Sequence, residues 1–262
     1  MPAFTDAVAL VTGASSGIGA ELVRELHRRG TREIVLVARR EDRLIELADE
    51  IGSSARVRCV DLSDPAAVEQ LLVDEPTVDL LVNNAGFGYG SLFESQASDR
   101  HRQMLEVNCQ ALVRLTSHYL PAMLARGHGW ILNVGSVAGL VPMPSQALYG
   151  ATKAFVNSFT EALRAEVRGR GITVHLLAPG PVHTEFFQVA RPGVTTRPPD
   201  SAFLSADRVA RETLDALVRG HARHIPGLPV RLGFTVAEQL PMWLYRPVAN
   251  LAARMVRARS TQ

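Results

Sequence analysis

Short apolar runs alternate with segments of helical period along most of the chain. Ala7 to Thr12, Ile34 to Ala38, Val57 to Val60, Val78 to Val82, Trp130 to Val134 and Ile172 to Ala178 are rich in Val, Leu and Ile and too short for helices, which predicts buried strands. A helix-length segment follows each one. Polar punctuation marks several of these helices: Ser63 predicts the cap of a helix carrying Pro65 in its first turn, and Ser205 the cap of one ending at Gly220. Repeated strand-helix units predict the α/β class, a doubly wound parallel sheet with helices on both faces and right-handed crossovers. No repeat, low-complexity tract or interdomain linker interrupts the series, so residues 1–262 read as a single domain. The Pro-rich break from Arg191 to Pro199 follows the last of these strands, at the carboxyl edge where open α/β sheets bind ligands; it reads as a mobile substrate lid over about 185–205. Residues from about 228 to 262 read as a C-terminal helical extension.

Composition narrows this picture. Hydrophobic residues make up 47% of the chain and aromatics only 6%, so the core is built mainly from Val, Leu, Ala and Ile, as a parallel sheet requires. The 28 Lys and Arg against 26 Asp and Glu are spread along the chain and leave a net charge of +2, with no basic block, which argues against nucleic acid as a partner. Cys59 and Cys109 show no CxxC or Cys/His spacing, so neither a disulfide framework nor a metal site is expected, and a reducing, cytoplasmic compartment fits. The first apolar run ends in a polar, Gly-rich turn and reads as a strand rather than a signal peptide. Glu238, Pro241, Arg246, Pro247 and Arg254 break the apolar stretch near the C-terminus, so no transmembrane helix is expected.

The first strand runs directly into TGASSGIG at residues 12–19. A helix starting near Gly17 sets its unpaired N–H groups and positive dipole end over this turn, a nest suited to the pyrophosphate of a dinucleotide. Gly13 permits the tight turn, Gly17 lets backbone approach the phosphates, and Gly19 lets the helix pack on the strand. The bland alternative is an ordinary tight strand-to-helix turn. Sites specific for NAD place a carboxylate about 20 residues past the glycines to hold the ribose hydroxyls. This chain has Arg39 there, followed by Arg40, and guanidinium forks suit a 2′-phosphate, so NADP(H) is expected in preference to NAD(H). A solvated helix start neutralised by Glu41 and Asp42 is the alternative for both arginines. Asp61, closing the third strand, is placed to accept from an adenine amino group or simply to start the next helix.

TGASSGIG is joined in order by NNAG at 83–86, Asn108, Ser136, Tyr149-x-x-x-Lys153 and PGPVHT at 179–184. Over about residues 5–225 this ordered set resembles the compact branch of the short-chain dehydrogenase/reductase family, with its single-domain Rossmann fold. The resemblance implies that Tyr149 gives or takes the proton, Lys153 activates it and holds a ribose, Ser136 donates to the substrate oxygen, and Asn108 holds a water of the proton relay. It implies cofactor contacts from Gly13, Ser15, Ser16, Gly17, Ile18, Gly19, Arg39, Asp61, Leu62, Asn83, Ala85, Gly86, Tyr149 and Lys153, with Pro179, Gly180, Val182 and Thr184 around the nicotinamide carboxamide. The chemistry of the residues agrees. Reducing a ketone needs a hydride on carbon and a proton on oxygen, and a phenol with a pKa of about 10 is a poor acid unaided. Lys153 lies four residues on, so on a helix it shares a face with Tyr149, where a close ammonium favours the phenolate. Taken singly, such a pair is usually a surface pair, and a Ser after a strand is usually a cap.

The expected activity is NADP(H)-dependent interconversion of a carbonyl and a primary or secondary alcohol. Residues 185–205, Phe87 to Phe93 and Leu140 to Gln146 are largely apolar, so a lipophilic small molecule is the expected substrate. His183 reads as a bystander and Cys109 as a packed thiol. A hydrolase built on Ser136 lacks the G-x-S-x-G elbow. A non-catalytic NADP(H)-binding sensor or scaffold is the alternative function, and a complete tetrad argues against it. The resemblance also implies a homo-oligomer, through helices holding residues 110–126 and 150–169, and a tail that covers the substrate pocket or joins a subunit interface. That tail mixes Trp243 and Tyr245 with Arg231, Arg246, Arg254 and Arg257; an amphipathic helix lying on a membrane surface is the less favoured reading.

Overall fold

The computed structural model describes residues 4–186 and 200–260; most of the expected lid, residues 187–199, lies outside them. Five strands form where both faces of an extended segment can be buried, β1 (Val8–Thr12), β2 (Glu33–Ala38), β4 (Leu80–Asn83), β5 (Gly129–Val134) and β6 (Ile172–Leu177), and a sixth, β3 (Ala55–Cys59), lies at the sheet edge and is only half-buried. Two short strands, β7 (Val182–His183) and β8 (Leu204–Ser205), pair with each other beyond the carboxyl edge, and β9 (Arg223–His224) completes the main sheet. The main sheet has the order β3-β2-β1-β4-β5-β6-β9 and is parallel throughout. The strand order reverses between β1 and β4, which opens a crevice at their carboxyl ends.

Among the described residues the helices are α1 (Gly17–Arg28), α2 (Glu41–Ile51), α3 (Pro65–Asp74), α4 (Ser98–Leu105), α5 (Ala111–Arg126), α6 (Ala147–Glu166), α7 (Ala206–Val218), α8 (Leu228–Gln239) and α9 (Met242–Ser260). Alternate strand residues feed two separate cores. Ala9, Val11, Ile34, Leu36 and Leu80 pack with Leu22, Leu26, Leu44 and Leu214 of α1, α2 and α7. Leu10, Val35, Val37 and Leu81 pack with Leu71, Leu115 and Met123 of α3 and α5 on the opposite face.

Two expected caps take other forms. Asp64, not Ser63, caps α3 by accepting from Ala66 N at 2.9 Å, while the Ser63 hydroxyl donates to Asp61. Ser205 stands at the start of α7 without a side-chain cap bond, and α7 stops at Val218, two residues before Gly220. Between α4 and α5 the backbone widens into one π-type turn, Glu106–Gln110, which holds Asn108.

His175 of β6 is fully buried, and its Nδ1 lies 2.7 Å from the His221 carbonyl oxygen. A carbonyl only accepts, so Nδ1 carries the proton; Nε2 has no partner among the described residues. Burial pushes its pKa down to about 4, helped by repulsion from His224, His221 and Arg164 and opposed by the His221 bond. Unfolded, the ring titrates near 6.5. Below that pH the unfolded chain takes up a proton that the folded chain refuses, so this contribution is complete above about 6.5 and is lost progressively as pH falls towards about 4. We expect a loss of up to about 1.4 kcal/mol per pH unit in that window, and expect H175N to flatten it. Denaturant midpoints at neutral pH and near pH 5 check this; equal losses in both proteins would assign the acid sensitivity elsewhere.

Candidate active site

At the carboxyl end of β1 the chain turns through Gly13 (φ 66°) and Gly17 (φ 59°), both in the left-handed region. Packing is close enough that a Cβ on Gly19 would lie 2.3 Å from the Gly13 oxygen. Two residues beyond the expected set lock this turn to β4. Thr12 Oγ1 accepts from the backbone N–H groups of Asn84 and Ala85 at 3.0 Å, and Asn84 Nδ2 donates to the oxygens of Thr12 (2.9 Å) and Gly13 (3.2 Å). Asn83 does not reach the crevice: it is buried, and its amide donates to Asn133 and Thr116 between the sheet and the helices below. Successive side chains along the strand direction point to opposite faces, so Asn84 is the one that lines the cavity, and a cofactor contact from Asn83 would have to come from its backbone.

Ser16 precedes α1 without capping it, leaving the first-turn N–H groups directed at the crevice. Arg40 spans the turn. Its Nη2 donates to Ser16 Oγ at 2.7 Å and Ser15 Oγ at 3.1 Å, while its Nη1 meets Glu185 Oε2 at 2.7 Å. That guanidinium holds the Glu185 carboxyl below the usual carboxylate range. Arg39, the residue singled out from the sequence, is 63% exposed and lies 3.9 Å from Asp61. Both arginines line the cavity, and Arg40 rather than Arg39 bridges the glycine turn. Asp61 Oδ1 is engaged by the backbone and hydroxyl of Ser63, and Leu62 beside it is buried against the same cavity.

Tyr149 and Lys153 stand one turn apart on α6, both buried. Lys153 is the only lysine in the chain. Its Nζ donates to the Val134 oxygen at 2.8 Å and sits 6.0 Å from the Tyr149 ring centroid. Burial pushes the phenol up to about 12, opposed by the Ser136 hydroxyl, and pushes the ammonium down to about 8. The downward shift expected from Lys153 does not enter: desolvation raises the phenol and Ser136 is what opposes it. Ser136 follows β5 in extended backbone; its Oγ accepts from Ala138 N at 3.1 Å. Asn108 braces the wall without lining it: Oδ1 accepts from Phe87 N at 3.0 Å, and Nδ2 donates to Phe87 O at 2.9 Å and Thr152 Oγ1 at 3.0 Å.

These groups converge on one cavity of about 600 Å³. Gly13, Ser15, Ser16, Gly17 and Ile18 line one end, while Ser136, Tyr149 and Lys153 stand across the crevice with Ala85 and Gly86 between. Gly19 lies behind the turn as a packing residue. Pro179, Gly180, Val182 and Thr184 close the side above β6, where the Thr184 methyl faces Gly17. His183 stacks on Phe203 at 4.9 Å and does not line the cavity, as a bystander should. Phe87, Met143, Phe186 and Phe234 make the catalytic end apolar. Phe234 carries no signal in the sequence as a site residue: it comes from α8, whose Val230 and Phe234 pack on Val137, Leu176 and Ile225.

The nest of glycines, the uncapped helix start and the adjacent arginine fit a phosphate-bearing dinucleotide on steric and charge grounds. A Cβ on Gly86 would meet Asn108 Oδ1 and Lys153 Nζ at 3.2 Å, so the wall there leaves room only for backbone.

A family model described as short chain dehydrogenase matches residues 7–194. The chain is 38% identical over 188 residues to the NADP-dependent 3-hydroxy acid dehydrogenase YdfG of Escherichia coli (strain K12), covering 70% of this chain and 75% of that protein. It is 30% identical over 262 residues to the very-long-chain 3-oxoacyl-CoA reductase of Bos taurus, covering 96% and 81% of the two chains. Among solved structures, a short-chain dehydrogenase from Sphingobium yanoikuyae in complex with NADPH superposes with a TM-score of 0.79 at 32% identity, covering 88% of this chain and 92% of that one.

Proposed function

The chain belongs to the short-chain dehydrogenase family, and from that membership we propose that it is an NADP(H)-dependent oxidoreductase interconverting a lipophilic carbonyl compound and its alcohol. The observation that carries this reading is one cavity bounded at one end by the glycine turn with Arg40 and at the other by buried Tyr149, Lys153 and Ser136. The NADP-dependent relative and the structural neighbour in complex with NADPH support the cofactor. Gly13, Ser15, Ser16, Gly17 and Ile18 would hold the pyrophosphate, Arg40 and Arg39 the 2′-phosphate, and Pro179 to Thr184 the nicotinamide end. The cofactor supplies or accepts the hydride.

The protein's own residues handle the proton. With its pKa near 12, Tyr149 keeps its proton at neutral pH and holds an acid ready for the oxygen that becomes an alkoxide during reduction. An alkoxide is more basic than a phenolate, so transfer from Tyr149 Oη runs downhill. Ser136 Oγ lies against the same wall and orients the carbonyl oxygen. Lys153, near its own midpoint at about pH 8, is the one cation here able to return a proton to the phenolate, which an arginine cannot do. Phe87, Met143, Phe186 and Phe234 exclude water and favour an apolar substrate. Phe155 of α6 is exposed and stacks at 5.9 Å on half-buried Phe159, which supports a subunit contact through that helix.

Following NADPH consumption across a panel of lipophilic ketones and aldehydes, with NADH alongside, tests the proposal. Turnover faster with NADPH is the expected result; equal or better rates with NADH would overturn the cofactor assignment.

A further inference from the structure

The C-terminal helix pair has its apolar residues on the wrong side for a tail that only covers a cavity. On α8 a narrow stripe, Val230, Phe234 and Ala237, turns towards the body of the protein. Leu228, Leu232 and Val236 form a second row at four-residue spacing and face outward, Val236 at 62% exposure. On α9 the stripe Tyr245, Ala249, Ala253 and Val256 is half-buried, and the Tyr245 hydroxyl donates to the Pro142 oxygen. Leu244, Leu251 and Met255 form an exposed row, with Trp243 beside it at 69% exposure. Thus side chains that normally bury themselves stand outward on both helices and make an exposed apolar surface.

Charge decides what that surface meets. From residue 228 onward the chain holds five arginines, Arg231, Arg246, Arg254, Arg257 and Arg259, against the single carboxylate Glu238, which is itself paired with Arg223. The whole chain is only +2, so the preceding part is net negative and the positive charge is concentrated here. Two copies meeting through this face would bring like charge onto like charge. An anionic lipid surface satisfies both features: acyl chains accept the Leu, Val and Met rows, a Trp settles at the headgroup boundary, and arginines meet phosphate. No described helix is long and apolar enough to cross a membrane, so the geometry is that of a helix pair lying in the surface.

We propose that α8 and α9 form a docking face for an anionic membrane surface. Phe234 ties that face to the active site: it lines the substrate cavity from the inner side of α8, one residue from Thr235 and two from Leu232 and Val236 on the outer side. A lipophilic substrate dissolved in the bilayer would therefore reach the cavity along the rim of α8. This last step rests on the oxidoreductase reading; the docking itself does not.

The test uses the full-length protein and vesicles of phosphatidylcholine, with or without phosphatidylglycerol, in a sedimentation assay at low and high salt. Binding at least about tenfold stronger to the phosphatidylglycerol vesicles, and weakened by salt, is expected. R246E/R254E should remove the preference for anionic lipid, and L232E/V236E should reduce binding to both vesicle types, with melting temperature and NADPH affinity unchanged in each. No binding at low salt, or equal binding to both vesicle types, would overturn the proposal. So would a wild-type oligomer that ignores vesicles and is dissociated by L232E/V236E, because the face would then belong to a second copy. Docking without any turnover would leave the membrane face standing and remove the reductase reading.

Discussion

Y149F is expected to lower kcat by about 10²- to 10⁴-fold while leaving the NADPH dissociation constant within about threefold of wild type. The substitution removes one oxygen from a ring held by packing. Tyr149 touches Phe186 at a centroid distance of 5.5 Å and belongs to a cluster with Met104 and Ala138, so the phenylalanine ring has the same seat. Its role in binding is small, because the glycine turn and Arg40 stand at the opposite end of the cavity. Its role in the proton step is large, because among the groups lining the apolar end it is the acid directed at the substrate position. Single-turnover measurement with saturating NADPH separates the two effects. Retention of more than about a tenth of the wild-type rate would mean that the proton reaches the substrate by another route. If wild type itself bound NADPH and turned over no carbonyl, the sensor reading would replace the enzyme reading.

Lys153 belongs to the same argument. As the only lysine of the chain it is also the only side-chain amine, so its titration is directly readable by an amine-reactive reagent once the N-terminal amine is accounted for. Reactivity rising through pH of about 8, rather than near the ordinary 10.5, follows from its burial.

The legibility of this protein in its sequence divides along physical lines. Five of the strands were readable because they are largely buried on both faces and rich in Val, Leu and Ile, which leaves a nearly continuous apolar run, whereas the edge strand β3 alternates Arg56 and Arg58 with its apolar residues and shows only a short one. The seventh main-sheet strand, Arg223–His224, left none: it is two residues long, and what defines it is hydrogen bonds from the Leu176 and Ala178 N–H groups to the carbonyls of Ala222 and His224. The four tetrad residues were recognisable as a spaced set, but the π-type turn that fixes Asn108 depends on one extra residue in a helix, which no periodicity displays. Asn83 and Asn84 are chemically identical in a sequence. Only the strand's alternation sends the first into the core and the second to the glycine turn. Phe234 was hidden for a different reason, because it arrives from a helix some eighty residues beyond the tetrad and only tertiary packing brings it in.

Arg39 and Arg40 show the same limit and lead to the second large effect. R40A is expected to weaken NADPH binding about 10- to 100-fold and NADH binding by less than about threefold, since a charge-assisted hydrogen bond to phosphate is worth about 1.5–3 kcal/mol and the 2′-phosphate is the difference between the two cofactors. Arg40 is 45% exposed, which places the effect towards the lower end of that range. Its present partners decide the complementary variant. Glu185 Oε2 occupies Nη1 at 2.7 Å, and Arg43 approaches the same carboxylate at 3.7 Å, so an incoming phosphate dianion must both displace Glu185 and bear its repulsion. E185Q keeps the shape and removes the charge, and NADPH should then bind roughly threefold tighter or better while NADH is unchanged. In the R40A background the gain from E185Q should shrink, because the competition is for Arg40. Fluorescence titration of the four proteins with both cofactors gives the complete cycle. Equal weakening of NADPH and NADH by R40A would show that this arginine holds the glycine turn rather than the 2′-phosphate, and would return the phosphate to Arg39.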